Sequence, residues 1–420
     1  MLMKNTRHTS LEKFRKDITR CVRCGACSTV CPSFLADRRE SRSPRGRMAL
    51  IESVLDGKLR VSDVYKDRLA TCTGCMACET ACASGVPFSA IIQAAKEQAV
   101  RETGAGVIAG MVSAALKHPV LMGSLAWLAP VVLHYSSAAV KGVRQGQGAG
   151  KADAETRRRG DAGKKPKGRV AFFPGCAVTY FQPDIGDAVS TVLEALGYEV
   201  IVPDGLKCCG RPYLSLGDRA AAEELARNNA DALSSLDVDA IVTACASCGL
   251  TFKEEYPALL DSSGNKQVRV LDIHEFLSGK LGGLDLHPVN SRVTWHDACH
   301  LGRGQGLAQT ARDVLRAVPG IELIEMKEPA QCCGFGGVMR VSHPSLSGTI
   351  GEKKARDIAA TQASLVVTGC PSCRMQIADS LLRRGADIKV VHTVQVIEAA
   401  LRSAEGGVRS AEKDTAGVKK

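Results

Sequence analysis

Two stretches decide the fold: Arg169-Val-Ala-Phe-Phe-Pro-Gly-Cys176 and, 123 residues later, Arg292-Val-Thr-Trp-His-Asp-Ala-Cys299. Each is an apolar run ending on a cysteine, the pattern of a buried strand that delivers a thiol at its end. A helical pattern follows each, Val192-Leu-Glu-Ala-Leu-Gly197 in the first and Val314-Leu-Arg-Ala-Val-Pro-Gly320 in the second. Short strands come next, Glu199-Val-Ile-Val202 and Glu322-Leu-Ile324, leading to Cys208-Cys209-Gly210 and Cys332-Cys333-Gly334. After more helix, Ala240-Ile-Val-Thr243 and Leu365-Val-Val-Thr368 run into Cys245-Ala-Ser-Cys248 and Cys370-Pro-Ser-Cys373. The halves read C-x31-CC-x35-C-x2-C and C-x32-CC-x36-C-x2-C, with landmarks recurring at offsets of 123, 124 and 125. Strands alternating with helices predict parallel βαβ units in each half. Cysteines at strand ends then gather at the carboxyl edge of each sheet, where open α/β folds place ligands.

Outward from this duplication, residues 1–101 hold eight cysteines in two runs, Cys21-x2-Cys24-x2-Cys27-x3-Cys31-Pro32 and Cys72-x2-Cys75-x2-Cys78-x3-Cys82. That spacing is the one by which bacterial ferredoxins bind two cubanes, the fourth cysteine of each run reaching the other cluster. It assigns Cys21, Cys24, Cys27 and Cys82 to one [4Fe-4S] cluster and Cys72, Cys75, Cys78 and Cys31 to the other. The second run departs from the usual pattern by having Ala83 after its last cysteine. Structural zinc is the alternative, but zinc takes four ligands in paired knuckles rather than eight in two runs. Between the runs, Met48, Ile51 and Leu55 repeat at helical spacing, so a helical ferredoxin-like domain is expected. Arg45 and Arg47 in the same stretch would either dock a flavin or neighbouring subunit or pair with surface carboxylates.

The chain has 420 residues and 18 cysteines, so eight and ten account for all of them. Adjacent cysteines such as Cys208-Cys209 suit neither a strain-free disulfide nor ordinary tetrahedral zinc. Five thiols per half is one more than a cubane needs. Either a less common iron–sulfur arrangement or four ligands plus a reactive thiol satisfies the count. Residues 1–8 contain no apolar signal-peptide core, so a reducing compartment is expected, where clustered cysteines bind metal. With 45% apolar and 24% charged residues the composition is that of a globular chain. Aromatics at 4% argue against base-stacking platforms, and nucleic acid is not an expected partner.

The formal charge is +11, of which residues 141–168 contribute +6 through nine Lys or Arg and three Asp or Glu. This basic flexible linker separates residues 102–140, an apolar helical segment, from the duplicated region. Residues 118–140 contain no Asp, Glu, Lys or Arg and are long enough to span or lie on a bilayer. The remaining boundaries fall at 169–288 and 289–402 for the two halves, with a disordered tail over 403–420. His296, Asp297 and His300 flank Cys299 and would either tune the second centre or bond nearby backbone; His274 and His343 have weaker claims. No nicotinamide or flavin fingerprint is present: Gly104-Ala-Gly106 follows a helix rather than a strand.

The doubled cysteine pattern resembles the CCG domain of heterodisulfide reductases. Its position behind a two-cluster module resembles the D subunit of those reductases and the iron–sulfur subunits of glycolate and lactate oxidases. Pro44-Arg-Gly-Arg47, Ser84-Gly-Val-Pro87 and Cys332-Cys-Gly-Phe-Gly-Gly337 are most similar to the glycolate and lactate members. The resemblance covers roughly 1–100 and 169–402. It implies an α/β protein with a helical bis-[4Fe-4S] domain before a duplicated CCG domain, and two further noncubane [4Fe-4S] clusters held by Cys176, Cys208, Cys209, Cys245 and Cys248 and by Cys299, Cys332, Cys333, Cys370 and Cys373. It also implies a flavoprotein partner carrying FAD, a quinone or other membrane carrier as acceptor, and a cytoplasmic location at the inner face of the membrane. Because both halves keep every cysteine, the resemblance leaves a second reading, disulfide cleavage at Cys208, Cys209, Cys332 and Cys333.

Overall fold

The computed structural model describes residues 11–117, 166–260 and 269–402. The expected apolar stretch 118–140 and the terminal tail lie outside them. Among the described residues no helix is long and apolar enough to cross a membrane.

The N-terminal module is helical. Helices α1 (Pro44–Leu55), α2 (Asp63–Ala70) and α3 (Phe88–Thr103) enclose Met48, Ile51, Leu69, Phe88 and Ile91 as a small core. Ser43 caps α1 by accepting from the Gly46 amide, and Pro44 sits in its first turn, where no amide partner is needed. A fourth helix, α4 (Val107–Lys117), follows with Val107 and Met111 facing outward.

The first CCG half is a parallel sheet of β1 (Gly168–Phe172), β2 (Tyr198–Ile201), β3 (Ala240–Thr243) and β4 (Val270–Asp272), in the order β2-β1-β3-β4. The second repeats it with β5 (Ser291–His296), β6 (Ile321–Ile324), β7 (Leu365–Thr368) and β8 (Lys389–His392), in the order β6-β5-β7-β8. Strands β3 and β7 are buried throughout, the reason they are unbroken apolar runs rather than alternating ones. The final strand of each half ends in the same device. Asp272 with Glu275, and His392 with Gln395, form capping boxes that start α5 (Ile273–Leu277) and α6 (Thr393–Leu401).

The two sheets join through one core. Helix Pro183–Ala195 of the first half packs on α6, and helix Ala308–Arg316 of the second packs on α5, so each half offers the same pair of elements to the other. This is the contact pattern of a twofold dimer, realised within one chain. Val189, Val192, Leu277, Trp295, Val394 and Ile397 belong to that shared core. At its centre, fully buried His274 bonds Asp272 through Nδ1 at 2.6 Å and Thr393 through Nε2 at 2.8 Å. His274 therefore ties the halves together rather than serving a metal.

Helix α3 packs on Arg211–Leu216, and the turn Pro32–Asp37 packs on helix Pro344–Ala359, so the helical module touches both halves. Lys96 donates to the Ser215 carbonyl at 3.0 Å, and His343 pairs with Asp67 at 2.8 Å.

Candidate metal centres

The cysteine loops of the helical module share an unusual backbone. Residues Arg23 and Gly74 occupy equivalent places with φ of 55° and 64°, and Gly25 and Met76 do so with 89° and 58°. Two left-handed residues per loop turn successive amides toward the enclosed sulfurs, the geometry of an anion-binding nest. An arginine and a methionine holding such angles are strained, a state that persists where the site over-determines it. Cys31 lies with Cys72, Cys75 and Cys78 around one small cavity, in agreement with the crossed assignment. Burial pushes the Cys31 and Cys78 thiols up, with Arg47 opposing the shift at Cys31.

The two loops face different surroundings. Cys24 is exposed, beside Val22 at 73% exposure, whereas Cys75 is buried. Arg45 is bonded to Glu40, and buried Arg47 donates to the Arg68 carbonyl and the Thr71 hydroxyl. Arg47 is thus committed to the interior, whereas Arg45 pairs with a surface carboxylate and keeps a partly exposed side chain.

In the CCG halves all ten cysteines sit at the carboxyl ends of strands, as expected. Cys245 and Cys370 are N-caps of helices starting at Ala246 and Pro371, with Cys248 and Cys373 in their first turns, where amide dipoles favour thiolate. The glycine of each Cys-Cys-Gly is structural: Gly210 and Gly334 have φ of 92° and 95°. A Cβ on Gly334 would also lie 2.7 Å from the Ser347 carbonyl oxygen. Gly334→Ala is accordingly expected to cost about 1–3 kcal/mol and to lower iron content in the second half, measured by anaerobic denaturation and metal analysis.

The ten thiols converge. Sγ atoms of Cys176 and Cys208 are 3.5 Å apart, as are those of Cys333 and Cys373. Cys245 and Cys370, one from each half, line the same cavity, and Cys75 packs against Cys332 and Cys299. A cavity of about 150 Å³ lies between these groups, lined also by Lys96, Arg211 and His300. Cys208, Cys248, Cys299 and Cys373 are pushed well above the usual thiol range by hydrogen bonds to Cys176, Cys209, Cys332 and Cys333 respectively, and then by burial. Their partners Cys209, Cys333 and Cys370 are held well below it by thiol hydrogen bonds, so the crowded thiols share protons that a bound cation would displace. The donor set thus fits iron–sulfur clusters in both halves.

The flanking residues separate. Asp297 is bound bidentately by Arg312 at 2.8 and 2.9 Å and accepts from Trp295 Nε1 at 2.7 Å, a structural role. His300 contacts the Ser247 hydroxyl at 2.9 Å and the Gly74 carbonyl at 3.3 Å, bridging the helical module and both halves. Burial, with Arg211 adding to it, lowers its pKa to about 4. His296 stays next to the sulfurs. Lys96 and Arg211 went unremarked in the sequence, since only the folded arrangement brings them to the cavity.

A helical two-run cysteine module seated on a duplicated α/β domain, the two holding 18 cysteines between them, defines an iron–sulfur electron-transfer protein. The 4Fe-4S dicluster domain family matches residues 17–86, and the Cysteine-rich domain family, CCG, matches residues 170–253 and 293–378. The chain is 33% identical to the B subunit of fumarate reductase (CoM/CoB) from Methanothermobacter marburgensis, over 92% of this chain and 73% of that one. It is 30% identical to the probable glycolate oxidase iron–sulfur subunit of Bacillus subtilis, over 91% of this chain and 93% of that one. The D subunit of the dihydromethanophenazine:CoB–CoM heterodisulfide reductase of Methanosarcina barkeri is 28% identical, over 92% and 94%. The chain belongs to this family of iron–sulfur subunits, in which a 4Fe-4S dicluster domain precedes two CCG domains.

Proposed function

We propose that this chain is the electron-transfer subunit of a flavin-dependent 2-hydroxyacid oxidase. Its relatives include subunits named for glycolate oxidase and lactate utilisation. In this reading a flavoprotein partner holding FAD removes two electrons from glycolate or lactate. The chain relays them singly to a quinone or another membrane carrier. Two cubanes, on Cys21, Cys24, Cys27 and Cys82 and on Cys72, Cys75, Cys78 and Cys31, would precede two noncubane centres in the CCG halves. Iron–sulfur clusters supply one-electron steps whose potentials are set by protein hydrogen bonds and burial.

The observation that carries the reading is the unbroken contact from Cys75 through Cys332 to the second CCG set, and from Cys370 through Cys245 to the first. Cys24 is exposed, which gives an external carrier a point of approach to the helical module.

The cavity favours a second reading. Cysteines from both halves line it together with Lys96 and Arg211, which would suit cleavage of an anionic disulfide between the two centres. Anaerobic isolation of the chain from its native cells separates the two. Copurification of an FAD-bearing subunit, with cluster signals appearing on addition of glycolate or lactate, is expected. A chain that isolates without flavoprotein and reduces a disulfide with viologen as donor would overturn the oxidase reading.

A further inference from the structure

The halves differ at one position that faces the sulfurs. The strand-to-cysteine stretches align without a gap, so Phe173 in the first half corresponds to His296 in the second. Phe173 is fully buried and packs edge-on against Phe252 with ring centroids 4.7 Å apart. The residue at the Phe252 position of the second half is Ile377, which fills less space. The first half thus spends this position on apolar packing, and the second places an imidazole there.

His296 is 1% exposed, and its Nδ1 has no hydrogen-bond partner among the described residues. One ring nitrogen, the Cys333 Sγ and the Cys373 Sγ all lie within 4.8 Å of one another. Donor atoms that close, buried and of mixed nitrogen and sulfur type, match the separation around a single iron or zinc ion. A buried ring nitrogen without a partner is uncommon in folded proteins and calls for an explanation.

We propose that His296 is a nitrogen ligand of the iron–sulfur centre in the second CCG half, making that set five thiolates and one imidazole while the first set remains all-thiolate. The inference rests on the reading that each half holds such a centre. The two centres then differ by one neutral nitrogen donor, and ligand identity is one of the levers that sets a cluster's potential. The second centre is thus the one of the pair tuned by nitrogen. It is also the centre that Cys75 touches.

The test uses the full chain reconstituted anaerobically with iron and sulfide, with histidine labelled by 15N or left unlabelled. Pulsed EPR at the potential where the second centre is paramagnetic is expected to show a strong histidine nitrogen coupling that changes with the isotope. His296→Phe, which copies the first half, is expected to abolish that coupling. It should also change the reduced-to-oxidised ratio of the second centre at least tenfold at fixed ambient potential, about 59 mV for a one-electron couple. Cubane signals retained in the variant show that it has folded; if it does not fold, the isotope comparison in the unmutated chain decides alone. Full iron content without a strong histidine coupling overturns the ligand assignment. Iron of only about eight per chain, the content of two cubanes, overturns the reading beneath it and the proposal together.

Discussion

Cys75→Ser is expected to disconnect the chain. Cys75 is buried, lines the cavity of the second cysteine loop, and packs against Cys332 of the second CCG set. Serine keeps the size but offers a hydroxyl that is a far poorer iron ligand than thiolate. Iron should fall by about four per chain, the content of one cubane. The cluster at Cys21, Cys24 and Cys27 should remain reducible from the surface, because Cys24 is exposed and its loop does not depend on Cys75. Reduction of the CCG centres by a donor confined to the Cys24 face should drop to the background rate. Stopped-flow absorbance, read beside freeze-quenched EPR, separates the two populations. CCG centres that fill at the original rate in this variant would mean that electrons reach them by a route that does not pass the Cys75 loop.

Much of this architecture could be read from the chain because the same residues do two jobs. Val293 and Trp295 build the second core, and the strand containing them ends shortly before Cys299, so the hydrophobic pattern and the cysteine spacing marked one register. The neighbourhood of Cys31 with Cys72, Cys75 and Cys78 follows from similar economy: fixed short spacings leave a loop few ways to close. Strands β4 and β8 were not anticipated. Val270–Asp272 is only three residues long, too short for alternation to register, and its role is to deliver a helix cap. The meeting of Cys75 with Cys332, and of Cys245 with Cys370, is a property of how sheets and helices pack, about which spacing says nothing. His296 stood in plain view beside Asp297 and His300, and the sequence grouped the three. Packing divides them, sending Asp297 to Arg312, His300 to the module interface and His296 to the sulfurs.

That division gives Asp297 a sharp expected behaviour. Its carboxylate is nearly buried and holds both Arg312 and the Trp295 indole, while Glu325 on the far side of Arg312 is 43% exposed. Asp297→Ala strips the buried guanidinium of its better partner and leaves the indole N–H of a fully buried tryptophan without an acceptor. Breaking a buried pair in this way costs about 3–5 kcal/mol, with the partly solvated Glu325 holding the figure toward the lower end. Replacing Asp297 and Arg312 together with leucine should cost less than the single change, since no charge is then left uncompensated. Anaerobic denaturation followed by Trp295 fluorescence, in a Trp127→Phe background, measures both. Asp297→Asn keeps an acceptor for the indole but loses the charge, so intermediate destabilisation is expected. Its second centre should keep the pH dependence of the potential seen in the unmutated chain. A changed pH slope with unchanged stability would instead make Asp297 a proton-handling group. The bidentate grip of Arg312 argues against that, because both carboxylate oxygens are already engaged.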